Sequence, residues 1–133
     1  MAVKSAGARQ LEDQWRDILS VHARTMCEID RVLHPHGLGA SDFEVLDMLA
    51  SEAPRDGDHC RVQNLVGRVH LSQSALSRLI GRLEKDGLVE RSVCVEDRRG
   101  VWVALTRKGR DLHTRVLPLQ RDVLARMLDD TRE

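Results

Sequence analysis

Leu11, Trp15, Ile18, His22, Met26, Ile29 and Leu33 recur at intervals of three and four, forming one stripe along the start of the chain. That spacing is one face of a helix and predicts a long helix over residues 8–33. The segment His34-Pro35-His36-Gly37 ends it, because proline cannot continue the backbone bonding and glycine terminates helices readily. A second helix is expected from Ser41, where Ser41 and Glu44 have capping-box spacing ahead of Val45, Leu46, Met48 and Leu49. Pro54 and Gly57 mark residues 52–58 as an exposed loop. Val62, Leu65, Val66 and Val69 then give the apolar face of a short helix over residues 61–69.

The pattern sharpens over residues 71–109. Ser72 is a good helix N-cap, since its hydroxyl can accept from an otherwise unpaired amide. Leu76, Leu79, Ile80 and Leu83 turn inward at helical spacing, which leaves Gln73, Ser74, Ser77, Arg78 and Arg82 on the exposed side. Gly81 costs this helix about 1 kcal/mol relative to alanine and reads as a tolerated surface glycine. Gly87 ends the helix, and residues 88–95 and 100–105 have strand character on either side of the polar turn Glu96-Asp97-Arg98-Arg99-Gly100. A last helical stripe runs through Leu112, Val116, Leu119, Val123 and Met127, with Pro118 a potential kink. The fold class expected is mainly α with a small antiparallel β-hairpin: a winged helix-turn-helix over residues 38–109, flanked by helices at 8–33 and 107–130.

Composition narrows the class. At 133 residues the chain is expected to form a single domain, and 41% hydrophobic with 32% charged residues is the balance of a globular protein. No apolar run approaches the roughly 20 residues needed to span a bilayer, and the N-terminus MAVKSAGARQ lacks the apolar centre of a signal peptide. Three cysteines, at positions 27, 60 and 94, are too sparse for a disulfide framework and fit a reducing cytoplasm. The net charge is zero, yet residues 61–110 carry 11 Lys or Arg against 5 Asp or Glu, while the rest carries 10 against 16. One basic lobe on an acidic body is the footprint of a polyanion binder.

The residue types agree with duplex DNA. Gln73, Ser74, Ser77, Arg78 and Arg82 are side chains that hydrogen-bond base edges and phosphates, and a groove-reading helix uses its N-terminal residues for bases. Ser72 stands at that same helix start. Arg98 and Arg99 tip the hairpin, and a narrow minor groove attracts an inserted arginine. Asp97 is expected to orient the Arg99 guanidinium through a forked hydrogen bond.

The sequence Asp97-x-Arg99-x-x-x-Val103-x-Leu105-Thr106-x-x-Gly109 resembles the wing signature of the MarR (multiple antibiotic resistance regulator) family of bacterial transcription regulators. LSQSALSRLIGRLEKDGLVER is similar to that family's recognition helix and first wing strand, and the likeness covers about residues 38–112. It implies a dimeric regulator with one helix per subunit in the major groove and a wing arginine in the minor groove, and the leading expectation is a sequence-specific DNA-binding repressor. On that likeness Ser74, Ser77 and Arg78 stand where the family contacts DNA, and Arg99 where the wing tip enters. Two positions depart from the pattern. His70 replaces the usual glycine of the helix-turn-helix turn and is expected to tolerate positive φ. The chain stops at Glu133, where the family tends to add a sixth helix.

Two long apolar stripes need burial, and a twofold homodimer supplies it while matching a palindromic operator. A small organic effector is expected in a cavity between body and DNA lobe, with Trp15, His22, Met26, Phe43 and Met48 as lining, though the same residues suit an ordinary core. No metal or cofactor motif has the required spacing and no catalytic constellation is evident. Cys27, Cys60 and Cys94 leave a redox- or metal-responsive variant open. A winged helix that has exchanged DNA for a protein surface is the remaining alternative. Binding that falls steeply with salt distinguishes duplex recognition from that adaptor role.

Overall fold

The computed structural model describes residues 2–93 and 100–129. Helix α1 (Ala2–Leu33) passes through a 3-10 turn at His34–His36 into α2 (Ala40–Glu52). A two-residue strand β1 (Cys60–Arg61) leads into the short α3 (Val62–Val66) and then α4 (Gln73–Lys85). Strands β2 (Val89–Val93) and β3 (Val101–Leu105) precede the final helix α5 (Arg107–Asp129). The sheet is antiparallel in the order β1-β3-β2, with Val89 opposite Leu105, Val93 opposite Val101 and Cys60 opposite Val103. This is the expected winged helix-turn-helix between two long helices, with one addition. β1 was not expected, because two residues carry no periodicity to read.

One core joins all the elements. Phe43, Leu46 and Leu49 of α2, Leu65 of α3, Leu76, Ile80 and Leu83 of α4, Val89 and Val103 of the sheet and Val116 of α5 are almost wholly buried. Only the C-terminal end of the α1 stripe joins them: Ile29 and Leu33 are buried and Met26 packs against the cluster. Leu11, Trp15 and Ile18 are 66%, 57% and 52% exposed. The single stripe seen in the sequence therefore divides into an inward half and an uncovered half.

The start of α2 differs from expectation by two positions. Gly39, not Ser41, is the N-cap, and the Asp42 carboxylate accepts the Gly39 amide at 2.7 Å. Asp30 of α1 accepts the next amide, that of Ala40, also at 2.7 Å. These two carboxylates satisfy donors that a later start would leave unpaired. α3 is also shorter than expected, and Val69, though buried, lies in the turn beyond it. No non-glycine residue described here has positive φ, so His70 makes the turn without the strain expected of it. α5 continues through Pro118 as one helix.

The junction between α4, the wing and α5 explains why Leu105-Thr106-x-x-Gly109 goes together. Gly87, at φ 77°, closes α4 with Leu88 N–H donating to Leu83 O at 2.9 Å and Gly87 N–H to Glu84 O at 3.0 Å. The Thr106 hydroxyl donates to Gly87 O at 2.6 Å and accepts the Gly109 amide at 3.0 Å, so one side chain caps α5 and clasps the end of α4. Gly109 lies so close to that loop that an added Cβ would stand 2.0 Å from Leu88 O.

Candidate nucleic-acid interface

α4 has the two-faced character the sequence suggested. Ser72 is the N-cap, its Oγ accepting the Ala75 amide at 3.1 Å. Leu76, Leu79, Ile80 and Leu83 seat the helix in the core, and Gln73, Ser74, Ser77 and Arg78 are exposed together on the outer side. Because the Ser72 hydroxyl is engaged in the cap, it orders this face. Its oxygen also lies 3.4 Å from that of Ser74. Gln73 and Ser77 border a cleft of about 170 Å3 shared with Val62, Gln63, Val66, Arg91 and Val101.

The wing grows from the edge of this face. Val89, Arg91 and Val93 lie opposite Leu105, Val103 and Val101 and so share one side of the hairpin. Val89, Val103 and Leu105 are buried, but Val93 and Val101 are 62% and 42% exposed where the strands leave the core. Arg91 replaces an apolar residue in that series and reaches Glu84 on α4. Its Nε and Nη2 donate to Glu84 Oε1 at 3.1 and 2.9 Å, and its own amide donates to Oε2 at 3.3 Å. The Arg91 hydrogen bond holds the Glu84 carboxyl below the usual carboxylate range. On the other side of the sheet, Trp102 meets the His59 ring edge-on at 5.9 Å and lies 5.4 Å from the Arg61 guanidinium. Both sides of the wing base are thereby braced.

Several expectations change here. Arg82 is 59% exposed, but its guanidinium is bound to the buried carboxylate of Asp42, so it is not the free member of the α4 face that the sequence suggested. Asp97, Arg98 and Arg99, with Cys94, lie outside the described residues. The five residues expected to line a ligand cavity do not converge. Phe43 is 1% exposed and stacks on His113 at 5.6 Å, while Met48 packs against the core from α2. Trp15 stands on the uncovered half of α1. His22 and Met26 do border a groove of about 820 Å3, whose apolar lining comes from Ile18, Val21, Ile29, Leu124 and Leu128. Glu44 closes one side of that groove, and burial pushes its carboxyl above the ordinary range.

Among the described residues no cluster of three or more His, Cys, Asp or Glu side chains is placed to hold a metal. Nor, among them, is any helix long and apolar enough to cross a membrane. Cys27 is exposed on α1, whereas Cys60 is buried and its thiol is raised above the usual value by that burial.

Residues 40–101, which hold α2, the helix-turn-helix and the first wing strand, match the MarR family pattern. The fold also superimposes on AbsC, a MarR family transcriptional regulator from Streptomyces coelicolor, with a TM-score of 0.78 and 32% identity. The two match over 90% of this chain and 79% of AbsC. The chain belongs to the MarR family. Sco3205, another MarR family regulator from Streptomyces coelicolor and solved in complex with DNA, matches with a TM-score of 0.79 and 27% identity over 90% of this chain and 73% of that one. The homoprotocatechuate degradative operon repressor of Escherichia coli is 26% identical over 98 residues, 74% of this chain and 63% of the repressor. The chain spans 35–63% of the length of the curated relatives it matches.

In this MarR-family chain the outward residues of α4 were legible from periodicity, but the residues that hold the site rigid were not. Asp42, Glu84 and Arg91 act across 40 and seven residues of sequence, beyond the reach of any local pattern. Arg110 was missed for another reason: its partners are mostly backbone. It donates to the carbonyls of Ala53, Pro54 and Arg55 at 3.1, 3.1 and 3.3 Å and pairs with Asp56, fastening the end of α2 to α5. Carbonyl acceptors leave no signature in a sequence.

Proposed function

We propose that this protein is a sequence-specific, duplex-DNA-binding transcription regulator that acts as a homodimer on a palindromic operator, as a repressor. The observation that carries the reading is the outer side of α4. Four polar side chains, Gln73, Ser74, Ser77 and Arg78, stand exposed on a helix whose opposite side is wholly in the core, with a braced wing beside it. Such a helix can enter the major groove as a rigid rod and present donors and acceptors to base edges. The wing tip supplies Arg98 and Arg99 to the neighbouring minor groove, with Asp97 orienting Arg99. The DNA complex of Sco3205 supports the target, and the relative named as an operon repressor supports the sign of regulation. A DNA target places the protein in the cytoplasm, at the nucleoid.

What the subunit leaves uncovered supports the homodimer. Leu11, Trp15, Ile18 and Leu19 of α1 and Leu128 of α5 are all more than 40% exposed, and they continue the apolar groove between the two helices. A patch of this extent on a regulator is an interface in waiting. A second copy, related by a twofold axis, covers the same patch on both subunits and gives two recognition helices for two half-sites. A small organic effector would enter that same region, beside His22 and Met26. It would release DNA if it favoured a dimer of different half-site spacing.

Selection of bound duplexes from a random pool tests the whole reading. The expected product is a palindrome bound with a steep inverse dependence on salt, about 0.9 in log–log slope for each phosphate contacted. Failure to retain any duplex at low salt would reject DNA recognition in favour of the protein-adaptor role.

A further inference from the structure

Asp42 is engaged on both carboxylate oxygens. Its side chain is 7% exposed, Oδ2 accepts the Gly39 amide at 2.7 Å, and Oδ1 receives the Arg82 guanidinium from α4. On the adjoining residue, the Ala40 amide donates to Asp30 Oδ1 of α1 at 2.7 Å. Both carboxylates lie within 3.5 Å of the point where a Cβ on Gly39 would stand. One corner of backbone, Gly39 and Ala40, is thus joined on one side to α1 and on the other to the recognition helix. We propose that Asp42 is a positioning residue which, through Arg82, fixes the tilt of α4 against α1 and so sets the half-site spacing the dimer accepts.

The inference rests on the dimeric DNA-binding reading, and its force comes from leverage. Arg82 lies near the C-terminal end of α4, whereas Gln73, Ser74 and Ser77 lie at the other end. Eight residues separate Ser74 from Arg82, a length of about 12 Å at about 1.5 Å per residue. With the tether lost, a rotation of about 10° about that end of α4 would move the reading end by about 2 Å over that length. By twofold symmetry the two reading ends then shift by about 4 Å relative to each other, against a base-pair rise of about 3.4 Å. Freedom of that size is one base pair of operator spacing. A buried carboxylate resists it well, because losing its cationic partner would leave an uncompensated charge in the interior.

Arg82→Gln and Asp42→Asn, with wild-type protein beside them, provide the test. Duplexes are selected from a random pool by each protein, and binding to spacing variants of the wild-type winner is then measured over a range of salt. Wild type is expected to hold one spacing and to disfavour a one-base-pair change by about tenfold, the scale of a mismatch. Both variants are expected to lose most of that discrimination, binding neighbouring spacings within about threefold, with the salt slope unchanged. Arg82 is largely exposed, so Arg82→Gln carries the test alone if Asp42→Asn fails to fold. Equal losses on every spacing would mark the pair as merely structural and overturn the proposal. A salt slope reduced by about one unit in Arg82→Gln, with Asp42→Asn unaffected, would overturn it too, because Arg82 would then be a phosphate contact. A wild-type pool without paired half-sites would refute the dimeric reading itself, and this inference with it.

Discussion

Gly81 and Gly109 both sit in helices, and the structure assigns opposite signs to the same substitution at the two positions. At Gly81 an added Cβ meets nothing within 4 Å, so Gly81→Ala gains helix propensity alone, about 0.5–1 kcal/mol. At Gly109 the new Cβ would stand 2.0 Å from Leu88 O, 2.9 Å from its carbonyl carbon and 3.2 Å from its Cα. No rotamer relieves that contact, because every atom it meets is backbone. The Leu88 carbonyl must retreat by about 1.4 Å to reach ordinary contact, and overpacking of this kind costs about 1–3 kcal/mol. The retreat also strains two hydrogen bonds: Thr106 N–H to Leu88 O at 3.1 Å and Thr106 Oγ1 to Gly87 O at 2.6 Å. Each is worth about 1 kcal/mol, so the total loss is about 3–5 kcal/mol, less a propensity gain of at most about 1. Gly109→Ala is therefore expected to lower stability by about 2–4 kcal/mol, a large part of a typical domain's 5–15 kcal/mol. Urea titration of both variants at one protein concentration reads the difference, the concentration being fixed because a dimer's midpoint depends on it. Equal midpoints for Gly81→Ala and Gly109→Ala would refute the account of the α4–α5 junction.

Arg78→Ala is expected to cost about 1–3 kcal/mol in operator affinity and to relax specificity at one base pair; fluorescence anisotropy on operator and scrambled duplexes checks it, and equal losses on both would make it a phosphate clamp. Arg99→Ala should weaken operator binding while leaving the urea midpoint in place, and unchanged affinity would remove the wing from the interface. Trp15→Glu should dissociate the proposed homodimer, which would bury the ring in each copy at a symmetric loss of about 3 kcal/mol or more; sedimentation at fixed concentration would contradict this by returning the wild-type mass. Glu44→Gln tests the one carboxyl among the described residues whose shift is upward. A raised pKa in the folded state means that stability falls as pH rises above the usual value of 4.5, where the unfolded chain gives up its proton first. The glutamine variant should lose that decline and melt higher at neutral pH, and a melting profile parallel to wild type from pH 4 to 7 would reject the assignment.

The parts of this fold that were legible in the sequence are those whose cause is local. The Ser72 cap, the inward leucines of α4 and the Gly87 stop each depend on residues within one or two turns. The capping box at α2 misled because two frames were available, Ser41 with Glu44 and Gly39 with Asp42. The choice was made by Asp30, ten residues away, and by Arg82, forty residues away. The α1 stripe was correctly helical from end to end, yet periodicity cannot say which turns face the same subunit. Ile29 and Leu33 do, whereas Leu11 and Trp15 do not. The expected ligand lining divides for a related reason: His22 and Met26 border the groove between α1 and α5, but α2 turns Phe43 into the core against His113.

What joins the elements also indicates how the molecule can move. The wing is fixed to α4 by Arg91 and Glu84, and α4 to α5 by Thr106 and by Lys108, whose ammonium donates to Asp86 O at 2.9 Å. Arg110 ties the far end of α2 to the same first turns of α5, and His113 bonds Asp47 at 2.8 Å one turn further on. Recognition helix, wing and the base of α5 are therefore one body, and shape changes within it would break several hydrogen bonds at once. Apart from Val93 and Val101 of the wing, the exposed large apolar side chains among the described residues lie elsewhere, on the N-terminal half of α1 and the end of α5. A partner or effector acting there can alter DNA binding only by rotating the whole lobe, because packed units shift between arrangements and do not bend. The side-chain connection that opposes such rotation at the α1–α2 corner runs through Asp30, Asp42 and Arg82. On the proposed reading, control of spacing lies in a carboxylate remote from the bases, which would account for a buried acid behind the helix assigned to DNA.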